Sequence, residues 1–400
     1  MSQFLLFYYS YPQQCPVTEA SLAKHSALLT SHNLLGRYRV APLGVNGIVQ
    51  GAPTSLANFV AAFTEYLKTN DLYIHDPDWK FGELRAGIPR ESQSFKDLKV
   101  QRVKEIVSYT ECGDQQPSRR RKHKPNRPPI PPSTAATADT PSDTPAPPPP
   151  PAPISRLSPS SWHALLSNPP PSAVLLDTRN LYESAIGLFT SPLMPTLRPT
   201  VRKFADLNQQ YMSEIKEDIG GKHVFMYCTG GVRCDTMKEA MAAWKGPGGE
   251  QVASVNLLEG GICKYLEEFG QEEASAGVTG KQSGSSHFLG KNFVFDPRRY
   301  DPQISSSLPT VGVCVLCSRL HDDYDHGKGH NDGKETRCDK CRVLILLCEA
   351  CKTEEGGAFC GGGGQECMGE LRQKGMGGVI VDDDRSVRER VEKGKSMAQP

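Results

Sequence analysis

Four hundred residues predict two or three domains, and a hydrophobic fraction of 38%, a mean hydropathy of −0.45 and a formal net charge of +1 describe a soluble chain with some unfolded parts. No run of about 18 apolar residues exists, which excludes a membrane-spanning helix. The near-neutral balance excludes a globally basic nucleic-acid binder and leaves only local basic surfaces. Thirteen cysteines would suit a secreted disulfide scaffold. However, the apolar Phe4–Tyr9 is short, has no Lys or Arg before it, and reads as a strand rather than a signal peptide. Eight of the cysteines gather between Cys314 and Cys367, so metal binding in a reducing compartment is the better reading.

Residues 1–112 read as one α/β unit. After the Phe4–Tyr9 strand, Thr18–Leu35 shows helical apolar spacing, with Thr18 or Ser21 as its cap. Gly36–Ala41 alternates as a strand. Gly44-Val-Asn46-Gly47 has the composition of a hairpin turn leading into Ile48–Gln50. A second helix over Pro53–Asn70 puts Leu56, Phe59, Val60, Phe63 and Leu67 on one face, and a closing strand is expected around Phe95–Lys104. The order β-α-β-β-α-β is that of a ferredoxin-like sandwich.

Residues 113–156 are expected to be a linker. It holds a basic cluster, Ser118–Arg127, then a Pro/Ala/Thr/Ser stretch that cannot build a core and should be extended and disordered. The cluster fits a solvated charge run, nuclear targeting or RNA affinity. Residues 157–270 read as a second α/β unit: a helix over Ser158–Leu166, buried strands at Ala173–Asp177, Val224–Tyr227 and Val255–Leu258, and a helix over Ile262–Phe269. Strands alternating with helices imply a parallel sheet, at whose carboxyl ends Asp177, Cys228 and Glu259 fall together. A connector, 271–313, contains the segment Phe293-Val-Phe-Asp296-Pro-Arg-Arg299. A cysteine-rich module covers 314–367, and 368–400 is expected to be a charged, loose tail.

The chemistry concentrates at Cys228-Thr229-Gly230-Gly231-Val232-Arg233-Cys234. A buried strand ends there, a glycine loop follows, and a helix is expected to open at Asp235. Loop N–H groups and the positive end of a helix favour an anion, which lowers a thiol pKa and makes Cys228 a nucleophile. Arg233 would add a cation for an incoming anion or sulfur donor. A cysteine phosphatase needs its Arg at the sixth position after the Cys; here that position is Cys234, which argues against phosphoryl transfer. Asp177 and Arg179 are candidates for the rim of the site, against the alternative of an Arg179–Glu183 pair bracing the chain. Glu259 is a candidate rim carboxylate.

This segment resembles a rhodanese domain. Cys228–Cys234 with Leu176–Glu183, Gly187–Phe189 and Leu258–Ile262 resembles one subgroup in particular, the bacterial tRNA uridine hydroxylase family and its eukaryotic rhodanese-domain relatives. Ala41–Gly47, Phe95–Val100 and Lys104–Val107 resemble that family's N-terminal domain, and Gly290–Asp296 resembles the stretch before its Cys-rich end. The resemblance implies an acylphosphatase-like N-terminal domain, a rhodanese domain, and oxygen-dependent hydroxylation of the wobble uridine of tRNA. It makes Cys228 the persulfide-forming nucleophile and leaves Cys234 as either a resolving thiol or packing. Where the family usually has Glu, this chain has Leu43.

Cys314-x2-Cys317 and Cys338-x2-Cys341 have zinc-ribbon spacing, and Cys348-x2-Cys351, Cys360 and Cys367 follow. Eight thiolates suffice for two tetrahedral sites, paired sequentially or crossed, with His321, His326 or His330 able to replace one cysteine. The expectation is therefore an α/β multidomain enzyme with a ferredoxin-like (acylphosphatase-like) sandwich, a parallel α/β rhodanese domain and a zinc-type module. It would hold one or two structural zinc ions and no evident organic cofactor. Its reaction would be tRNA uridine hydroxylation. The alternatives are sulfur transfer from a small donor such as thiosulfate to a thiol, or a non-catalytic zinc-stabilised scaffold. No membrane partner is expected. The chain would be cytoplasmic, with nuclear placement open through its basic linker.

Overall fold

The structure is a computed structural model that describes residues 3–84, 89–107, 150–270, 286–301, 309–324, 336–352, 358–361, 366–368 and 379–396. The basic cluster 118–127, most of the proline-rich stretch, His326 and His330 lie outside the described residues.

The N-terminal unit runs β1 (Gln3–Ser10), α1 (Glu19–Ser31), β2 (Leu35–Ala41), β3 (Gly44–Gly51), α2 (Pro53–Thr69), β4 (Asp78–Gly82) and β5 (Leu98–Arg102). Its sheet has the order β4-β1-β3-β2-β5, antiparallel except for the β2–β5 pair. Thr18 caps α1 by accepting the Ser21 N–H in a reciprocal capping box. Side chains alternate across the sheet. One face buries Phe7, Tyr9, Tyr38, Val45 and Val49 against Phe59 and Phe63 of α2. The opposite face carries two cross-strand rows, Lys80–Leu6–Ile48–Arg37 and Asp78–Tyr8–Asn46–Arg39.

Two expectations change here. The strand that closes the four-stranded sandwich is β4, beside β1, while the expected Phe95–Lys104 strand is an added fifth strand at the far edge. The hairpin turns at Pro42–Leu43, and Gly44–Gly47 belongs to β3. Those glycines serve close approach rather than turning. A Cβ on Gly44, at φ +147°, would stand 2.0 Å from the Tyr9 carbonyl oxygen, and one on Gly47 would meet the Phe7 ring at 2.8 Å.

The second unit runs β6 (Ile154–Leu157), α3 (Pro159–Ser167), β7 (Ala173–Asp177), α4 (Leu181–Ser184), β8 (Gly187–Phe189), β9 (Thr196–Pro199), α5 (Gln209–Glu214), α6 (Lys216–Ile219), β10 (His223–Tyr227), α7 (Val232–Ala243), β11 (Ser254–Leu258) and α8 (Gly261–Phe269). Beyond it come β12 (Phe288–Gly290), α9 (Glu349–Lys352), β13 (Val379–Asp382) and α10 (Asp384–Ser396). The large sheet has the order β13-β9-β7-β10-β11-β6, parallel except for β13. Being covered on both faces, its central strands read as continuous apolar runs. Val224 and Met226 enter one core with Met237 and Met241 of α7; Phe225 and Tyr227 enter the other with Trp162 and Tyr265.

β6 starts inside the stretch assigned to the linker, where Val255–Leu258 of β11 pairs with Ile154–Leu157. The tail is not loose between 379 and 396. β13 adds an antiparallel edge to the sheet, and Val387 and Val391, one helical turn apart, bury against Leu188, Leu289 and Val311. The charge that suggested a loose tail is partly consumed in a buried pair: Arg198 Nε donates to Asp382 Oδ2 at 2.5 Å, and Arg390 reaches Oδ1 of the same carboxylate at 3.1 Å. Burial pushes the Asp382 carboxyl up, but the two arginines outweigh it and hold it below the usual carboxylate range. A depressed carboxylate stabilises the fold fully above its unfolded pKa, and that stabilisation is lost as pH falls through the folded value. Asp382→Ala should therefore cost about 3 kcal/mol in urea unfolding at neutral pH, because Arg198 is left buried and unpaired. The gap to the wild type should shrink in acid; equal stability at neutral pH would refute this account of the tail.

Candidate functional site

The loop after β10 turns at Gly231, φ +92°, and α7 starts directly beyond it at Val232, three residues earlier than the sequence suggested. Arg233 and Cys234 are thus in the first helical turn, where the free N–H groups point back at Cys228. The Cys228 sulfur is fully buried and accepts the Gly231 N–H at 3.1 Å. The loop carbonyls face the other way: Cys228 O and Thr229 O accept the N–H groups of Ile262 and Cys263 at the start of α8, each at 3.0 Å. Gly261, φ +65°, makes this contact possible, since a Cβ there would lie 2.5 Å from Cys228 O.

Burial alone would raise the Cys228 thiol. The Cys234 thiol donating to it, the charge of Arg233, and the backbone N–H groups of Cys234 and Arg233 reverse this and bring it to about 5. Cys234 moves the opposite way. Burial, its role as donor and the Cys228 charge raise it well above the usual thiol range, while its sulfur lies 3.4 Å from Thr178 Oγ1. At neutral pH the pair is a thiolate at Cys228 with a thiol at Cys234.

Arg233 is buried and held. Its fork donates to both oxygens of Glu183, at 2.7 and 2.8 Å, and its Nη2 also reaches Thr229 Oγ1 at 3.1 Å. Glu183 is itself fixed by a capping box in which its Oε1 accepts the Asn180 N–H at 3.0 Å. Sequence reasoning gave Glu183 no role at the loop. The signal was the Asn180-x-x-Glu183 spacing of a helix start. Asp177 and Arg179 do not form a rim: both are fully buried and paired with each other, Arg179 Nε to Oδ1 at 2.9 Å and Nη2 to Oδ2 at 2.6 Å. The Arg179–Glu183 alternative fails too, because Glu183 is taken by Arg233. Glu259 is exposed at the end of β11, paired with Lys264 at 2.5 Å, beside an open cleft of about 1350 Å³.

The N-terminal sheet covers the loop. Leu6 Cδ2 and Lys80 Cε lie 3.4 and 3.8 Å from where a Gly230 Cβ would be, ordinary contact distances that put the sheet directly on the loop. Between them is a second cavity of about 350 Å³, floored by Thr229, Gly230, Val232 and Arg233 and walled by the polar face of the N-terminal sheet. Two contacts join the units beside it. The Tyr8 hydroxyl donates to Asp235 of α7, which also pairs with Arg156. Arg298, doubly bonded to Asp296, lies 4.0 Å over the Phe4 ring and donates to Glu83 O at 3.0 Å. Leu43 is 54% exposed and lines the open cleft rather than the cavity over the cysteine loop.

Comparison with known proteins agrees with this arrangement. The family described as UPF0176 acylphosphatase like domain matches residues 3–106, and the one described as Rhodanase C-terminal matches residues 289–368. This chain is a rhodanese-domain protein resembling the tRNA uridine(34) hydroxylases. A protein named tRNA uridine(34) hydroxylase from Rhodococcus erythropolis is 28% identical over 354 residues, 88% of this chain and 97% of that protein. The rhodanese-like domain-containing protein 6 of Arabidopsis thaliana is 31% identical over 361 residues, and a tRNA uridine(34) hydroxylase of Corynebacterium jeikeium is 31% identical over 209. The matches span about half the length of these last two, 51% and 56%.

The Cys-rich part of this rhodanese-domain protein contains two crossed sets, Cys314/Cys317/Cys348/Cys351 and Cys338/Cys341/Cys360/Cys367; His321 belongs to neither. Their knuckles repeat one design. Cys314 N–H donates to Arg319 O and Ser318 N–H to Cys314 O; Cys338 N–H donates to Val343 O and Arg342 N–H to Cys338 O. Sulfur–sulfur distances of 3.6 Å (Cys317–Cys348), 3.7 Å (Cys341–Cys360) and 3.9 Å (Cys338–Cys367) are far too long for disulfides. They match the edge of a thiolate tetrahedron with metal–sulfur bonds of about 2.3 Å, the spacing zinc requires. Such a metal would staple the short knuckles and fill no catalytic position, since each set is closed. Among the described residues, no helix is long and apolar enough to cross a membrane.

Two measurements follow. The ultraviolet thiolate absorbance of the wild type minus that of Cys228→Ser should titrate with a midpoint near pH 5; a midpoint in the ordinary thiol range would refute the cradle. Metal analysis of purified protein should find two ions per chain. Cys317→Ser and Cys348→Ser, although far apart in sequence, should each lose the same single ion, with Cys341→Ser losing the other. Loss of one ion by Cys317→Ser together with Cys341→Ser alone would restore the sequential pairing.

Proposed function

We propose that this protein is an enzyme that uses the Cys228 thiolate in the oxygen-dependent hydroxylation of the wobble uridine of tRNA. The observation that carries the reading is the cradle itself. A buried sulfur, held as an anion at a helix start and roofed by an acylphosphatase-like sheet, occurs in a chain aligned to 97% of a protein named tRNA uridine(34) hydroxylase. Cys228 is the nucleophile. Thr229–Val232 form the loop floor, Arg233 fixes the loop through Glu183 and lends the sulfur its charge, and Cys234 is the hydrogen-bond donor to the thiolate. The two cysteine sets hold structural zinc, and the partner is tRNA. Residues 1–112, 157–270 and 314–367 act as cover, catalytic unit and brace, and the chain works in the cytoplasm, with the nucleus open to it through the basic linker.

The second reading, sulfur transfer from a donor such as thiosulfate, draws support from the same cradle, which suits a persulfide anion as well as a thiolate. Against it, Arg233 is engaged with Glu183 rather than free to meet a donor anion. A zinc-stabilised scaffold draws least support, since a scaffold has no use for a thiolate held near pH 5.

Nucleoside mass spectrometry of tRNA from cells lacking the protein decides between them. Loss of the 5-hydroxyuridine-type modifications, restored by the wild-type gene and not by Cys228→Ser, is expected. Unchanged tRNA, together with a one-sulfur mass gain at Cys228 after exposure to thiosulfate, would transfer the assignment to sulfur transfer. Neither change would leave the scaffold.

A further inference from the structure

A third concavity, of about 380 Å³, lies where α4, the segments after β9 and β12, and one cysteine knuckle meet. Four of its wall residues are arginines, Arg202, Arg299, Arg337 and Arg342, and none is a carboxylate. Arg202 and Arg342 are exposed and the other two half-buried, so solvent reaches all four. Like charges gathered on one wall repel one another, and an anion among them relieves the repulsion. The rest of the wall is apolar or aromatic, including Tyr182, Phe293 and Leu344. Such a low-dielectric lining concentrates the field of the guanidinium groups inside the concavity.

The arginines are oriented by the knuckle. Arg202 Nη1 donates to Cys341 O, and Arg337 Nη1 donates to Arg342 O at 3.0 Å. Carbonyl acceptors fix a guanidinium without cancelling its charge. The Cys341 sulfur also lines the wall. Four thiolates around one divalent ion carry two negative charges net, fewer than the four positive charges gathered here. The backbone adds a second sign. Among the described residues two arginines have positive φ, Arg299 at +67° and Arg342 at +63°, and both line this wall. The left-handed region favours Gly, Asn or Asp over a long side chain. In the twin knuckle the matching position after the second cysteine is Ser318, at +59°. The same turn closes with serine, so the knuckle does not call for the guanidinium of Arg342.

We propose that this four-arginine concavity is a binding site for a small phosphate-bearing molecule, held by its phosphate. Planar guanidinium forks match phosphate oxygens two at a time, and the volume is that of a small-molecule site. A nucleic-acid strand instead needs a basic groove that follows its backbone over several nucleotides. The occupant ties Arg202 of the rhodanese unit to Arg299 of the connector and to Arg337 and Arg342 of the Cys-rich part. It thereby fastens that part to the unit carrying the cysteine loop. The site shares only Phe295 with the cavity over the loop, and it stands whichever reaction Cys228 performs.

The test is calorimetric titration of the full-length protein with inorganic phosphate, at an ionic strength held constant with sodium chloride, together with thermal unfolding. The wild type should bind one phosphate per chain saturably and unfold at a higher temperature in its presence. Arg342→Ser, which copies the twin knuckle, Arg299→Asn, which tolerates the left-handed backbone, and Arg202→Gln should each weaken binding about tenfold. Arg319→Ser, at an exposed arginine on the twin knuckle outside this wall, should bind as the wild type does. Unchanged unfolding of the variants without phosphate certifies their folding. If Arg342→Ser fails to fold, Arg299→Asn and Arg202→Gln, which lie outside the knuckle, decide. No saturable binding by the wild type, or an equal loss in Arg319→Ser, would overturn the proposal. So would a single-stranded oligouridylate that binds with the same dependence on the three arginines and is not displaced by phosphate, since the wall would then serve a nucleic-acid backbone.

Discussion

The buried pair between Glu183 and Arg233 is the constraint on which the site depends. Arg233 stands in the first turn of α7, and its charge helps the Cys234 hydrogen bond turn a buried thiol into a thiolate. A guanidinium in that position needs a buried partner, because an unpaired charge away from water costs several kcal/mol. Glu183 supplies it, and its two oxygens accept from the arginine while one also caps α4 through the Asn180 N–H. The carboxylate is thus used twice: it fixes the start of a short helix on one strand connection, and through that helix it fixes the loop on another.

That dependence explains why the C-terminal module matters to a site it does not touch. Tyr182, the neighbour of Glu183, packs edge-on against Phe293, and its carbonyl accepts the Tyr324 hydroxyl at 2.7 Å. Both of those residues belong to the cluster with Leu344 and Leu346, which lie on the strand-like run between the cysteine knuckles. The module buries few other apolar side chains, so metal bound to its thiolates would supply much of its folding free energy. The module, Tyr182, Glu183 and Arg233 form a contiguous chain of contacts ending at the thiolate. Position is what passes along it.

The sequence disclosed β7, β10 and β11 of the second sheet almost residue for residue, because parallel strands buried on both faces are uninterrupted apolar runs bounded by glycine or polar residues, but not its outer strands β6, β9 and β13. It disclosed the cysteine knuckles for a similar reason, since a Cys-x2-Cys knuckle is local, while their crossed pairing depends on the tertiary fold and stayed open. It misplaced what depends on distant partners. β4 is short, and Lys80 is buried although charged on the face turned to the other domain, so its apolar alternation is broken. β13 and α10 looked like tail because their charges find partners at Arg198, nearly two hundred residues away. Arg179 and Glu183 are spaced like a helical ion pair, yet each is claimed by a tertiary partner, and nothing local reveals which. The rim role expected for Asp177 failed on the same ground: a carboxylate at a strand end is exposed only if no arginine buries it.

The opposed behaviour of the two loop cysteines follows from one hydrogen bond. While Cys228 is an anion, Cys234 is its donor; giving up that proton would place two negative sulfurs in one dry cradle, so Cys234 stays a thiol while Cys228 is a thiolate. The restriction is removed only when the charge on Cys228 is removed by bond formation. The Cys234 thiol then keeps Thr178 Oγ1 as its neighbour at 3.4 Å, and the helix-start N–H groups and Arg233 remain to favour whichever sulfur becomes negative. On the function proposed above, a stabilising donor in the first half of the reaction and a resolving thiol in the second are not competing roles for Cys234. They are the same side chain before and after Cys228 is bonded, and the loop geometry sets their order.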